Sequence, residues 1–89
     1  MLRITPRPDS VHDTLLLEGN LLKEWLGELE QALARARQNG AAVSLDLSGL
    51  RFVDADGARF LRACRRDGVS LLGASPFVGA LLDPPRPRR

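Results

Sequence analysis

The sequence predicts a small α/β domain with a four-stranded mixed sheet and helices mainly on one face of that sheet. Two patterns predict it. Apolar residues take every second place in segment 43–47, as in a strand with one buried face. Through segment 22–36 they recur at three- and four-residue steps, as on one side of a helix. Such segments alternate along the 89 residues in the order β-β-α-β-α-β-α, which is typical of a single domain.

The first two strands are expected near the N-terminus. Residues 2–5 form a short strand that Pro6 and Pro8 close, because proline cannot donate to a sheet ladder. A loop over residues 9–13 then leads to the second strand at 14–18. Gly19-Asn20 is expected to break this strand before the first helix.

The first helix has the clearest periodicity in the chain, and it is expected to end near Asn39-Gly40. Its apolar stripe consists of Leu22, Trp25, Leu26, Leu29, Leu33 and Ala36. The third strand follows at 42–47, with Ser44, Asp46 and Ser48 on its wetter face. Ser48-Gly49 then turns the chain, and Phe52 and Val53 return it to the core.

The second helix is predicted over residues 56–67, with Leu61 and Cys64 on its apolar side. Its opposite stripe consists of Arg59, Arg62 and Arg66. Strand 69–73 and a short helix through Leu82 complete the order, with Ser75 as cap and Pro76 in the first helical position. Repeated strand–helix–strand units predict parallel pairing of strands two, three and four, with the first strand joined through a hairpin-like loop.

The net charge of +2 comes from the C-terminal end. Residues 83–89 carry three arginines and one aspartate, so residues 1–82 hold ten basic and ten acidic side chains. We therefore expect a domain over residues 1–82 and a disordered Pro/Arg-rich tail over 83–89. The tail is interpreted either as a solvated end or as a weak electrostatic contact with lipid, nucleic acid or an acidic protein.

Several classes of function are disfavoured by composition. The lone Cys64 excludes an internal disulfide and fits a reducing compartment, and no apolar run approaches the ~20 residues that cross a bilayer. We expect a cytoplasmic protein without membrane insertion. Four aromatic residues provide poorly for base stacking, so no nucleic-acid partner is expected.

One segment carries a family resemblance. Residues 45–57 read Leu-Asp-Leu-Ser-Gly-Leu-Arg-Phe-Val-Asp-Ala-Asp-Gly. This resembles the signature of STAS domains, the sulfate transporter and anti-sigma factor antagonist family, whose usual form is Leu-Asp-Leu-Ser-Gly-Val, two or three residues, then Asp-Ser-Ser-Gly. Glu18-Gly19 and the segment 71–76 resemble other parts of the family in register. The resemblance spans about residues 2–82 and implies the STAS fold.

The resemblance also implies a position for a phosphate switch. In anti-sigma factor antagonists, the residue before the glycine is a serine or threonine that a kinase-like anti-sigma factor phosphorylates. Here Asp56 occupies the phosphorylation-equivalent position and Ala55 replaces the preceding serine. Aspartate has no hydroxyl to accept phosphate in that reaction, so the switch cannot operate at this residue.

The chain also departs from the family at its C-terminal side. The usual closing strand and helix are lacking, because the sequence passes from Leu82 to Pro84-Pro85 within two residues. An uncovered sheet edge favours association with another chain. A homodimer is therefore one expectation.

Asp56 has three interpretations. It is a helix N-cap, a mimic of phosphoserine that holds one binding state, or a direct contact to a partner's arginine. The pair Asp54 and Asp56 also suggests a metal or acid–base site, but divalent ions need more oxygen ligands and proton transfer needs a shielded pocket. No metal, cofactor or catalytic residue is expected.

The expected function is non-catalytic binding of another protein by a regulatory or scaffold subunit. The resemblance implies a partner-binding surface at the start of the second helix, formed by Asp54, Ala55, Asp56, Gly57, Arg59 and Arg62. The implied partner is either a kinase-like anti-sigma ATPase or the ATPase of a lipid-trafficking ABC transporter, to which the chain would be an accessory subunit. A small-molecule or nucleotide-binding module is the alternative, although no Gly-rich phosphate loop supports it.

Overall fold

The computed structural model describes residues 1–8, 12–38, 40 and 42–83. The strands are β1 (Leu2–Pro8), β2 (His12–Leu21), β3 (Ala42–Val53) and β4 (Ser70–Leu72). The helices are α1 (Leu26–Gln38), α2 (Ala55–Arg66) and α3 (Pro76–Leu82), and a 3-10 turn at Lys23–Trp25 precedes α1. The sheet order is β1-β2-β3-β4, with β1 antiparallel to β2 and the other pairs parallel. This confirms the predicted fold class.

Strand β1 is longer than the sequence predicts, because it continues through both of its prolines to Pro8. It tolerates them because it is an edge strand. The Asn20 backbone N–H donates to the Met1 carbonyl at 3.0 Å, so the odd-numbered residues of β1 form the hydrogen-bonded pairs with β2. The nitrogens of Pro6 and Pro8 therefore point away from the sheet, where no N–H is needed.

Strands β2 and β3 also pass through their predicted break points. Gly19-Asn20 lies inside β2 and Ser48-Gly49 inside β3, so the two predicted chain breaks are wrong. The strands stay paired because the register shifts between Leu16 and Glu18 and again between Gly19 and Asn20. Position 49 needs glycine because β2 passes close to it: a Cβ there would lie 2.9 Å from the Leu17 carbonyl oxygen.

The core is one cluster on a single face of the sheet. Leu15 and Leu17 of β2 and Leu45 and Leu47 of β3 form its base. The buried residues that the helices add to it are Leu29, Leu33, Ala36, Ala58, Leu61, Cys64, Val78 and Leu82. The connections from β2 to β3 and from β3 to β4 cross to the next strand in the same direction along the sheet. Right-handed crossovers in the same direction place their helices, here α1 and α2, on the same face.

The opposite face of the sheet is partly open, with one departure from expectation. Asp46 is half-buried and Ser48 is exposed, as predicted, but Ser44 is buried. Ser44 lies in a central strand and has a paired residue on each side, Thr14 in β2 and Ser70 in β4. Burial of a position therefore depends on its neighbours as well as on strand alternation.

The remaining boundaries differ only locally. The first two residues of the predicted apolar stripe lie before α1: Leu22 precedes the 3-10 turn, and Trp25 ends it, half-buried and packed against the core. His12 and Asp13 belong to β2 rather than to the predicted loop. The rest of that loop at 9–11, Asn39 at the predicted helix end and the tail at 84–89 lie outside the described residues. Within the described part of the chain, no helix is long and apolar enough to cross a bilayer.

Candidate functional site

Asp54 organises the start of α2. One oxygen of its carboxylate accepts the Gly57 backbone N–H at 2.7 Å, which makes Asp54 the N-cap of α2. The other oxygen accepts the Lys23 backbone N–H at 2.8 Å, at the beginning of the 3-10 turn. The Asp54 N–H in turn donates to the Leu21 carbonyl at 3.1 Å. One aspartate thus joins the end of β2, the turn before α1 and the start of α2.

Asp56 does not have the predicted capping role. It lies in the first turn of α2, and its carboxylate pairs with Arg59 one turn along the same helix. Its side chain is 39% exposed and that of Arg59 is 65% exposed. The N-cap interpretation of Asp56 is therefore wrong, because Asp54 is already positioned to accept the free backbone donors. Asp56 instead places a negative charge in the first turn of α2, where it interacts favourably with the positive end of the helix and with Arg59.

Gly57 allows α2 to begin close to the sheet. It is buried, and a Cβ at this position would lie 2.7 Å from the Leu21 carbonyl oxygen and 3.0 Å from a Val53 methyl group. Its value here lies in the missing side chain rather than in an unusual backbone angle, since the residue is helical. Gly57 therefore positions the surface and does not present a side chain to it.

Two of the arginines on α2 hold α3 in place. Arg62 is half-buried and donates to the Leu81 and Leu82 carbonyls at 3.2 and 3.3 Å, which are free acceptors at the end of α3. Arg65 forms two hydrogen bonds with the Asp83 carboxylate, at 2.8 and 3.0 Å. The Arg65 guanidinium lowers the pKa of Asp83, and Asp83 raises the pKa of Arg65. Asp83, assigned to the tail by sequence, is thus tied to α2.

A shallow groove lies between the start of α2 and the end of α3. It is lined by Phe52, Val53, Asp54, Ala55, Ala58, Arg59, Arg62, Ala80 and Leu81. Beside it, the rings of Phe52 and Phe77 stand 6.4 Å apart between centroids and are tilted by 32°. These phenylalanines are 44% and 53% exposed. The start of α2 therefore borders an apolar surface with two arginines at its rim.

The sequence prediction and the structure differ most at this aromatic pair. Phe52 was predicted to return the chain to the core, but Val53 alone does so. The register shifts in β3 explain the difference, because they leave Leu50 and Val53 inward and Phe52 outward. Phe77 is not among the predicted site residues. No local signal marks its exposure, because that depends on how α3 packs against the rest of the domain.

Other titratable groups are structural. Asp46 accepts the Ser48 N–H at 3.0 Å, and hydrogen bonds from Ser48 lower the pKa of its carboxyl. Burial raises the pKa of the Cys64 thiol, which disfavours a reactive thiolate at neutral pH. Over residues 1–8, 12–38, 40 and 42–83, no cluster of three or more side chains could hold a metal ion.

Comparison with known families identifies the class of the domain. The STAS_2 family model, described as "Mlab, STAS domain", matches residues 4–83. The chain therefore belongs to this family, which confirms the resemblance carried by residues 45–57. Comparison with curated protein sequences gave no match.

Solved structures support the same fold. The anti-sigma factor antagonist SpoIIAA in its unphosphorylated form is similar, with a TM-score of 0.66, 18% identity, 91% of this chain and 80% of that chain covered. A crystal structure of Mglu is also similar, with a TM-score of 0.62 and 22% identity over 81% of this chain but 19% of that one. At these identities the similarity shows the fold.

Proposed function

We propose that this STAS domain is a non-catalytic, protein-binding subunit that regulates or supports a larger cytoplasmic assembly. Its docking surface consists of the outer side of the first turns of α2 and the neighbouring groove with Phe52 and Phe77. The observation that carries the proposal is the exposure of these two phenylalanines beside the start of α2. Paired exposed aromatic side chains are typical anchors of protein interfaces.

The predicted site residues divide into two groups. Ala55, Asp56 and Arg59 face outward at the start of α2 and are the proposed contacts. Asp54 and Gly57 position the helix, whereas Arg62 both lines the groove and fixes the end of α3. This division follows from what each side chain already contacts within the chain.

The docking is proposed to be constitutive. In anti-sigma factor antagonists of this family, the residue at the position of Asp56 carries the regulatory hydroxyl. Asp56 has none, and its single charge is already paired with Arg59 rather than free to imitate a phosphate. A permanent subunit of an ATPase-containing assembly needs no such switch. A kinase-like anti-sigma ATPase and a transporter ATPase are the two proposed partner classes.

The test is affinity capture from the source cell with three tagged proteins. The unchanged chain should recover one stoichiometric ATPase partner, and the Phe52→Ser, Phe77→Ser double variant should lose it. Gln31→Ser, on an exposed part of α1, is the control and should retain the partner. Because both phenylalanines are about half exposed and outside the buried core, the variant should remain folded, which its circular dichroism spectrum checks.

The identity of the captured protein separates the partner classes. An ATPase that copurifies with membrane-spanning subunits indicates a transporter assembly, and a soluble kinase-like protein indicates anti-sigma regulation. Recovery of the same partner by the folded double variant would contradict the proposed surface.

A further inference from the structure

The two edges of the sheet differ in how well they are protected against strand addition. On β1, the outward-pointing backbone positions are the even-numbered residues, as the Asn20-to-Met1 hydrogen bond establishes. Two of these four positions are Pro6 and Pro8, which have no N–H to offer. Arg3 and Arg7 on the same strand are exposed. Proline and positive charge are the devices by which natural sheets block an edge.

Strand β4 at the other edge has neither device. Segment 68–75, which contains β4 and its flanks, has no charged residue and no proline. Leu72 is 47% exposed on this strand, and Leu71 is half-buried. On the described strands, β4 pairs only with β3, so its outer side ends the sheet. An uncharged apolar edge without proline is a template for another strand.

We propose that β4 pairs antiparallel with β4 of a second copy of this chain about a two-fold axis. The second copy is favoured because β4 is itself an uncharged, proline-free edge strand, so two copies meet without like-charge repulsion. With Leu71 on the axis, the Ser70 of each copy lies opposite the Leu72 of the other. Such an interface is isologous, and it joins the two sheets into one of eight strands.

The contact is short, because β4 has three residues. We therefore expect a weak and concentration-dependent dimer, below the size of a standard stable interface. The β4 edge is separate from the proposed docking surface at the start of α2. The two proposals can fail separately.

The experiment is sedimentation velocity of the full chain over a concentration series, with two matched variants. Leu72→Lys adds a positive charge at the β4 edge. Thr5→Lys adds the same charge at the β1 edge, in the same cross-strand row, since Thr5 pairs with Leu16, Leu16 with Asp46 and Asp46 with Leu72. Circular dichroism checks that both variants remain folded.

The unchanged chain and Thr5→Lys should dimerise alike as concentration rises. Leu72→Lys should weaken dimerisation by about tenfold or more, because a two-fold interface contains each substitution twice and places like charges near each other. Amide protection at residues 70–72 should rise with concentration in the unchanged chain. A chain that stays monomeric throughout, or a dimer that Leu72→Lys leaves intact, overturns the proposal.

Discussion

The inner and outer faces of α2 differ in burial and in charge, although their residues alternate along the same twelve positions. The inner face consists of Gly57, Ala58, Leu61 and Cys64, all buried against the sheet and the neighbouring helices. The outer face carries charged side chains of which several are exposed. The fold depends on the inner face, whereas the outer face is where we propose that a partner protein binds. The contrast also shows that charge alone does not mark a free side chain, since Arg62 and Arg65 are engaged with α3.

The largest expected effect is at the inner face. Gly57→Ala should destabilise the protein by about 2–3 kcal/mol, because the new Cβ would meet the Leu21 carbonyl oxygen and force α2 away from the sheet. Urea unfolding monitored by the fluorescence of Trp25 measures the change. Gly79→Ala is the control, since a Cβ there meets nothing within 4 Å. Equal stability of the two variants would show that α2 is not held as closely as described.

The second-largest effect is expected at the N-cap of α2. Asp54→Ala should cost about 1–2 kcal/mol, because it removes the cap of α2 and also the acceptor of the Lys23 N–H. Asp54→Asn keeps a capping oxygen and should retain most of the stability. Thermal unfolding of the three proteins provides the comparison. An Asn variant as unstable as the Ala variant would argue against capping as the cause.

A smaller effect is expected where the outer face contacts α3. Arg62→Ala should destabilise the protein by about 1 kcal/mol, because the Leu81 and Leu82 carbonyls lose their donor. Arg66→Ala, at an exposed position of the same helix, should have almost no effect. Hydrogen exchange should show faster exchange of the α3 amides in Arg62→Ala alone. Equal exchange in both variants would remove the proposed role of Arg62 in fixing α3.

The smallest effect is expected at the phosphorylation-equivalent position. Asp56→Ala should change stability by less than about 0.5 kcal/mol, because its pair with Arg59 is exposed to solvent. The same variant should recover clearly less of the protein partner, although its stability hardly changes, since the side chain is proposed to lie in the interface. A loss of stability comparable to that of Asp54→Ala would reverse the distinction between the two aspartates.

The fold was largely predictable because its signals are local. The two-residue period of β3 and the helical spacing of α1 and α2 are visible in short windows, and alternating strands and helices imply the parallel order. For the candidate site, the sequence predicted the location but not all of the side chains that form its surface. Its motif identified the start of α2, but Phe77 was missed and Phe52 was assigned to the core, because their exposure depends on strand register and on the packing of α3.

The sequence by itself therefore determined the elements, their order and the family, since each follows from the spacing of neighbouring residues. Only the tertiary structure decided that Asp54 also holds the turn before α1 and which arginines of α2 contact the end of α3. The deciding hydrogen bonds join Lys23 to Asp54 and Arg62 to Leu81, which are 31 and 19 residues apart in the chain. No local pattern encodes such a pair, because folding alone brings the two groups within hydrogen-bonding distance.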